Sequence, residues 1–107
     1  MKQILAVIKP YVVEKVIAAI AELPIDEIAV REVKGFGRQK NYLDRYRDNE
    51  YSGAFIPKVE LSIWCEDEDV EAIVETMMKV SRTGRMGDGK IMIMPVFEQR
   101  IVSENGQ

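Results

Sequence analysis

The spacing of apolar residues changes several times along the chain, and it predicts the secondary-structure elements in order. Residues 4–8 form a short continuous apolar run, which is typical of a strand buried on both faces. Between residues 12 and 23 apolar side chains recur every three or four positions, so we expect an amphipathic helix that ends at Pro24. Residues 25–36 alternate as a second strand, but the alternation breaks near Val33, where we expect a bulge.

The chain after residue 55 predicts a strand, a helix and a last strand. Residues 59–65 alternate strictly between apolar and polar side chains. The next helix has an apolar stripe at helical spacing, formed by Val70, Ile73, Val74, Met77 and Met78. Its methionines suit a core better than a cofactor site, and Asp67 is expected to cap its first turn. Residues 91–97 are the fourth predicted strand.

The predicted order, β-α-β-β-α-β, indicates an α+β protein with the ferredoxin-like sandwich fold. At 107 residues the chain is expected to form a single domain, 1–107. In this fold both helices cover the same face of the sheet. The other face would carry apolar side chains such as Trp64, and we expect it to be covered by self-association.

Composition argues against several classes of protein. Hydrophobic residues make up 47% and charged residues 31%, and no apolar run is long enough to span a membrane. A net charge of −3 argues against nucleic acid as the main partner. The chain has no histidine and only one cysteine, Cys65. A disulfide framework and histidine acid–base catalysis are therefore excluded, a zinc site is disfavoured, and a reducing cytoplasm is the expected location.

Two short segments combine glycines with basic residues. One is residues 34–40, Lys-Gly-Phe-Gly-Arg-Gln-Lys, and the other is residues 82–90, Arg-Thr-Gly-Arg-Met-Gly-Asp-Gly-Lys. Glycine lets the backbone bring bare amides against a ligand, and such amides beside lysine or arginine bind anions. Residues 37–55 are polar, lack periodicity and are too long for a simple connection, which indicates either a functional loop or disorder. We therefore expect a phosphorylated small molecule between the two segments.

The glycine segments and three further short motifs together point to a known family. The residues concerned are 35–40, 46–47, 50–51, 57–59, 83–84 and 87–91. They resemble the PII signal-transduction proteins, which regulate nitrogen and carbon status in bacteria, archaea and plastids. The resemblance extends from residue 1 to about residue 96. It implies a non-enzymatic cytoplasmic regulator that forms a homotrimer, with a nucleotide site between neighbouring subunits.

The resemblance also divides the chain by role. Residues 37–55 correspond to the flexible T-loop, which contacts a target membrane transporter or metabolic enzyme. Residues 82–90 correspond to a phosphate-binding loop, and residues 98–107 to the C-terminal tail. The implied cofactor is an adenine nucleotide, ATP or ADP, with AMP as a variant. Nine residues match positions that contact it: Gly35, Phe36, Gly37, Arg38, Thr83, Gly87, Asp88, Gly89 and Lys90.

A second ligand is implied beside the nucleotide. Gln39 and Lys58 match positions that bind 2-oxoglutarate, and Gln39 also helps to hold the Mg²⁺ that bridges this metabolite to ATP. A carboxylate-bearing ligand beside a lysine is favourable charge pairing. Tyr51 matches the tyrosine that some members of the family carry in uridylylated form. Ligand binding would then order or release the T-loop.

The chain departs from the family pattern in the C-terminal segment and in the third strand. Ile101 and Ser103 stand where PII proteins usually carry two arginines that hold the terminal phosphates of ATP, and Arg100 is one residue away, on the opposite face of an extended segment. Ser62 replaces an acidic residue that would partner Lys90. These departures leave open a divergent PII-like sensor, which prefers ADP or AMP together with another small anion such as bicarbonate.

Functions from two other classes also stay open. A slow nucleotide hydrolase would use Asp88 or Glu50 to orient water, although the sequence has no dedicated base or nucleophile. A simple trimerisation module is the least specific alternative, and it would leave both glycine segments without a role.

Overall fold

A computed structural model describes residues 1–35, 56–84 and 88–103. These residues form four strands and two helices, and each helix follows a short 3₁₀ turn, at Pro10–Val12 and at Asp67–Asp69. The strands are β1 (Lys2–Ile8), β2 (Glu27–Gly35), β3 (Ile56–Cys65) and β4 (Gly89–Pro95). The helices are α1 (Val13–Ile20) and α2 (Val70–Ser81). Neither of these described helices is long and apolar enough to cross a membrane.

The four strands form one antiparallel sheet in the order β2-β3-β1-β4. β1 lies between β3 and β4, and both pairings extend to its last residue, where Ile8 lies opposite Val59 on one side and Gly89 on the other. The strand order and the position of the two helices confirm the α+β, ferredoxin-like fold that the sequence predicts.

The hydrophobic core lies between the sheet and the two helices. Alternate residues of β1 and β3 face the helices, because successive side chains of a strand point to opposite faces. The helices contribute the apolar residues that recur at helical spacing. The fully buried members are Ile4, Ala6, Ile8, Val12, Val16, Ile20, Leu61, Ile63, Cys65, Ile73 and Met77. The second helix therefore uses the predicted stripe, and Met77 fills the core as expected.

The prediction that β1 is buried on both faces is wrong for the single chain. Its burial alternates: Ile4, Ala6 and Ile8 are buried, whereas Leu5 and Val7 are only partly buried. The physical reason is that both helices lie on one face, so the other face of this central strand has no layer above it. An apolar residue on that face is covered only by its neighbours in the sheet.

Two sequence expectations about the first half of the chain also need correction. The pairing of β2 with β3 runs without interruption from Glu27 to Gly35, so there is no bulge at Val33. The first helix ends at Ile20 rather than at Pro24. A hydrogen bond from Leu23 N–H to the Ile20 carbonyl, 3.0 Å long, closes a turn there, and the residue before a proline disfavours helix.

Asp67 does not cap the second helix. It lies in the 3₁₀ turn before α2, and the helix begins without a side-chain hydrogen bond at its N-cap. The Asp67 carboxylate instead contacts the amino group of Met1 at 3.0 Å and Nζ of Lys2 at 3.1 Å. Hydrogen bonds from these two cations hold the pKa of Asp67 below its ordinary value. The local rule for capping fails because β1 brings positive charge to the same place.

The face of the sheet away from the helices carries the apolar side chains that the sequence predicts. Gln3 lies opposite Trp64 of β3 and Met94 of β4, and Leu5 lies opposite Met92. Paired residues of an antiparallel sheet share a face, so these side chains form one surface. Met92 is 39% exposed. That self-association covers this surface stays a prediction.

Gly89, the first residue of β4, permits a very close approach between two strands. Its φ is +126°, and a Cβ atom on it would lie 2.2 Å from the carbonyl oxygen of Val7. Only glycine tolerates both conditions, since other residues are strained at positive φ and no side-chain atom fits at that distance from backbone. Gly84 has φ +82° but open space around its Cβ position.

We predict that Gly89→Ala and Gly84→Ala differ strongly in stability. Gly84→Ala should lower the free energy of unfolding by about 1 kcal/mol, because only backbone strain changes. Gly89→Ala should lower it by about 3 kcal/mol or more, because strain is added to a clash that separates β4 from β1. Urea unfolding monitored by circular dichroism measures both values. Equal effects in the two variants would contradict this account of Gly89.

Candidate functional site

The second glycine segment connects α2 to β4 and is closed by a carboxylate. Oδ2 of Asp88 accepts hydrogen bonds from the backbone N–H of Thr83 at 2.7 Å and of Gly84 at 3.0 Å. Oδ1 accepts a hydrogen bond from the Thr83 hydroxyl. The side chain of Asp88, near the end of the segment, thus binds the backbone at the beginning of the segment. Its role in the described part of the chain is structural, because it satisfies backbone donors that helix and strand leave unpaired.

Asp88 is also tied to the sheet through Lys9. The Lys9 ammonium lies 3.3 Å from Asp88 Oδ1, and the two side chains are 20% and 22% exposed. The hydrogen bond from the Thr83 hydroxyl, followed by those from the Thr83 backbone and Lys9, keeps the pKa of Asp88 far below its ordinary value. The carboxylate is therefore charged throughout the neutral range.

Lys58, expected to bind a metabolite, lies in β3 at the same end of the sheet. It is opposite Val33 and only 8% exposed, so a cation is largely removed from water. Its pKa is lowered, first by burial and then by the positive charge of Lys9, while the charge of Asp88 acts in the opposite direction. Two lysines therefore share the field of one carboxylate, and a bound anion would stabilise the charged form of Lys58.

Two recesses open at this end of the sheet. One, of about 420 Å³, lies beside the second glycine segment, and Ser81, Arg82, Asp88 and Lys90 are among its lining residues. Among the described residues the Ser81 hydroxyl is buried and has no hydrogen-bond partner. An unsatisfied buried hydroxyl costs free energy, so a ligand or water that bonds to it is favoured.

The other recess, of about 680 Å³, is lined by residues of β2 and β3 and by Pro10. It includes the cations Lys34 and Lys58 and the carboxylate Glu32. Lys34 precedes Gly35, which is paired with Ile56 at the end of the two strands. The two residues that flank the segment 36–55 therefore lie side by side, close to Lys58.

The structure brings part of the predicted nucleotide site together. Thr83, Asp88, Gly89 and Lys90 lie near one another, and Lys58 lies at the same end of the sheet. Gly35 ends β2 at that side. The other predicted site residues lie outside the described residues: Phe36, Gly37, Arg38, Gln39, Tyr51 and Gly87. Glu50, considered as a catalytic residue, is also outside them.

Sequence reasoning did not identify Lys9 as a site residue. The signal was available, because a lysine directly after the first strand lies at the sheet end where the second glycine segment also meets β4. In the C-terminal segment Arg100 donates a hydrogen bond to Glu98, and Ile101 is 52% exposed. Glu60, which is near Lys90 across Val7, is instead paired with Arg31.

The family model, the two relatives and the solved structure described next are all of PII proteins. The family model of the nitrogen regulatory protein P-II matches residues 1–105. The nitrogen regulatory protein P-II of Azospirillum brasilense is 46% identical over 98 residues, which cover 92% of this chain and 88% of the relative. P-II 1 of Escherichia coli (strain K12) is 45% identical over 96 residues, covering 90% and 86%. A crystal structure of Arabidopsis thaliana PII bound to citrate has a TM-score of 0.70 at 27% identity, covering 89% of this chain and 76% of that chain.

We predict that Asp88→Asn destabilises the chain more at neutral pH than in acid. The carboxylate has a lower pKa in the folded chain than its ordinary 3.8, so its stabilising effect is fully present above that ordinary value. The stabilisation decreases as the pH falls below about 4 and is lost only at the still lower folded value, so the difference between wild type and variant should shrink steadily in acid. Thermal unfolding between pH 7 and pH 2 measures this decrease in the Tm difference.

The control for this prediction is Glu75→Gln on the exposed side of α2. It removes one negative charge, as Asp88→Asn does, but Glu75 is not among the hydrogen-bond partners described above for the second glycine segment. A Tm difference for Asp88→Asn that does not shrink below pH 4, or that equals the effect of Glu75→Gln, would contradict the structural role of Asp88.

Proposed function

This chain belongs to the P-II family of nitrogen regulatory proteins, and from that membership we propose which ligands it senses and how. It is a signal-transduction protein of a regulatory family rather than of an enzyme family. We propose a cytoplasmic homotrimer that binds ATP or ADP between subunits. A small carboxylate-bearing metabolite such as 2-oxoglutarate would bind beside the nucleotide, and residues 37–55 would act on a target membrane transporter or metabolic enzyme as the T-loop.

The observation that carries this proposal is the clustering of positive charge at one end of the sheet. Arg82 and Lys90 lie on the recess beside the second glycine segment, and Lys58 lies across β1 from it. A nucleotide phosphate group is bound by such cations together with backbone amides.

The second ligand is supported by the charge around Lys58. Lys58 and Lys9 both lie close to one carboxylate, Asp88, and Lys58 is nearly buried. An anion there recovers part of the cost of burying Lys58. The solved Arabidopsis thaliana PII is bound to citrate, a carboxylate ligand. 2-Oxoglutarate has the same chemistry, and with ATP it would share Mg²⁺ held by Gln39.

The link from ligand to target is supported by the position of Lys58. It lies two residues after Ile56, which pairs with Gly35 at the base of the T-loop. A ligand at Lys58 therefore contacts the strand from which the loop emerges. Binding can shift the loop between two states only if the ligand has different affinities for them.

The homotrimer is supported by the uncovered face of the sheet. Leu5, Trp64, Met92 and Met94 lie on that face without a covering layer in the single chain. Partly exposed apolar side chains grouped on one face in this way are characteristic of a protein interface. The nucleotide would then lie between the second glycine segment of one subunit and the neighbouring subunit.

The divergent sensor remains the second candidate, and one contact favours it. Arg100, the cation closest to the positions of the two missing arginines, is engaged with Glu98. With Ile101 and Ser103 in those positions, the terminal phosphate of ATP loses two charge-assisted hydrogen bonds, each contributing about 1.5–3 kcal/mol. ADP or AMP with bicarbonate would suit such a site. Hydrolysis is disfavoured, because Asp88 has a low pKa and is a weak base.

We predict that the chain binds at least one of ATP, ADP and AMP with Kd values measurable by isothermal titration calorimetry. Lys90→Met should weaken binding about tenfold or more, because a charge-assisted contact to phosphate contributes about 1.5–3 kcal/mol. Lys79→Met, which removes an exposed lysine in the last turn of α2, is the matched control and should leave Kd unchanged. Absence of binding by all three nucleotides would end the proposal, as would a monomer in sedimentation velocity.

We predict that the second ligand depends on Lys58. If the chain is a 2-oxoglutarate sensor, this metabolite tightens the binding of ATP with Mg²⁺, and Lys58→Met abolishes the enhancement while ATP alone still binds. Bicarbonate serves as the comparison ligand, with ADP and AMP titrated in parallel. Tighter ADP or AMP binding that bicarbonate alone enhances would select the divergent sensor instead. Enhancement that survives Lys58→Met would contradict the role of Lys58 in either version.

A further inference from the structure

We propose that Lys9 is a positioning residue that acts through Asp88, setting the shape of the second glycine segment and coupling it to Lys58. Lys9 would contact neither ligand. The coupling between ligands rests on the proposed function, whereas the effect on the segment does not.

The first step of the argument is the geometry of the Asp88 carboxylate. Its contacts with Thr83 and Gly84 are local, since these residues are four and five positions away along the chain. The contact with Lys9 crosses 79 positions and joins the segment to the sheet. The Lys9 ammonium and the Thr83 hydroxyl both donate hydrogen bonds to Oδ1. The position of the Lys9 ammonium therefore helps to set where this oxygen lies when it accepts the hydrogen bond from Thr83.

The second step is the rigidity of Lys9 itself. It follows Ile8, which is fully buried and paired on both sides. Pro10 comes next and has a fixed φ, and the Lys9 carbonyl accepts a hydrogen bond of 3.2 Å from Val12 N–H. The backbone of Lys9 is thus held by a central strand and a 3₁₀ turn. The Lys9 side chain therefore extends from a fixed backbone position, and its ammonium can hold the second glycine segment in place through Asp88.

The third step is the position of Lys9 between the other two charges. The strand pairs end at Ile8–Val59 and Ile8–Gly89, so Lys58 and Asp88 are the adjoining residues on either side of Lys9. Lys9 repels the charge of Lys58 and attracts that of Asp88. Removal of Lys9 would take away one charge that opposes the attraction of Asp88 for Lys58, so Asp88 would compete more strongly with an incoming anion. Two sites that share one group in this way influence each other reciprocally.

The test compares Lys9→Met and Lys9→Arg with Lys2→Met as the matched control. Lys2 is on the same strand and is also ion-paired, but with Asp67 at the opposite end of the sheet. Amide hydrogen exchange at Thr83 and Gly84, followed by NMR on the full chain without ligand, should accelerate about three- to tenfold in Lys9→Met. Lys9→Arg keeps the charge and should restore slow exchange, and Lys2→Met should leave these two amides unaffected.

Ligand binding provides the second measurement. In Lys9→Met the Kd for ATP should rise about three- to tenfold, and the factor by which 2-oxoglutarate tightens ATP should fall towards one. A double-mutant cycle with Asp88→Asn should show that the two substitutions are not additive, because Lys9 acts through that carboxylate. A general loss of stability would instead change the exchange of core amides in β1 and β3.

Unchanged exchange at Thr83 and Gly84 in Lys9→Met, or additivity with Asp88→Asn, overturns the proposal. A wild-type chain that binds no ATP defeats the proposed function, while the exchange comparison still decides the role of Lys9. If Lys9→Met does not fold, the proposal is tested on the wild-type protein and Asp88→Asn instead. A Lys9 ammonium held by Asp88 gives a persistent nitrogen-detected NMR signal at low temperature that Asp88→Asn removes, and a signal unaffected by Asp88→Asn overturns the proposal.

Discussion

The pairing of β1 with two neighbours determines where the chemistry of this protein lies. β1 is the strand that contacts both β3 and β4, and both ladders end at Ile8. Because both neighbouring strands run antiparallel to β1, the residue after Ile8 lies between the residues that adjoin Val59 and Gly89 in those strands. Lys9 therefore lies between Lys58 and Asp88. The buried side chains of Ile4 and Ile8 hold this register, because a slip by one residue would turn them out of the core. The core therefore positions the charges.

The charges at this end of the sheet are more buried than the pair formed by Arg31 and Glu60. Arg31 with Glu60 forms a partly exposed pair of one cation and one carboxylate, which contributes little to stability. At the candidate site Lys9 and Asp88 are 20% and 22% exposed, and Lys58 beside them is nearly buried. Charges so far removed from water interact more strongly with each other and with a bound ion. This sensitivity agrees with a regulator whose state depends on ligand occupancy.

The sequence predicts the elements and the fold well because the spacing of apolar residues shows which side chains are buried. In this protein those side chains are buried in a single core. It fails where a distant part of the chain supplies the deciding interaction. Asp67 follows the local rule for a helix cap, yet the amino group of Met1 and Lys2 draw it away. The bulge expected at Val33 is absent because its partner strand keeps a regular register there. The signal for Lys9 is its place directly after β1, and this place gains meaning only once the pairing of β1 with β3 and β4 is known.

The Gly35–Ile56 pair holds the two ends of the segment 36–55 side by side in the sheet. These two backbones are neighbours in the sheet, so the chain leaves and re-enters at points about 5 Å apart. The entropy of closing a loop on fixed ends grows only with the logarithm of its length. A change in the length of the twenty-residue segment between them, 36–55, therefore costs the four-stranded sheet little free energy.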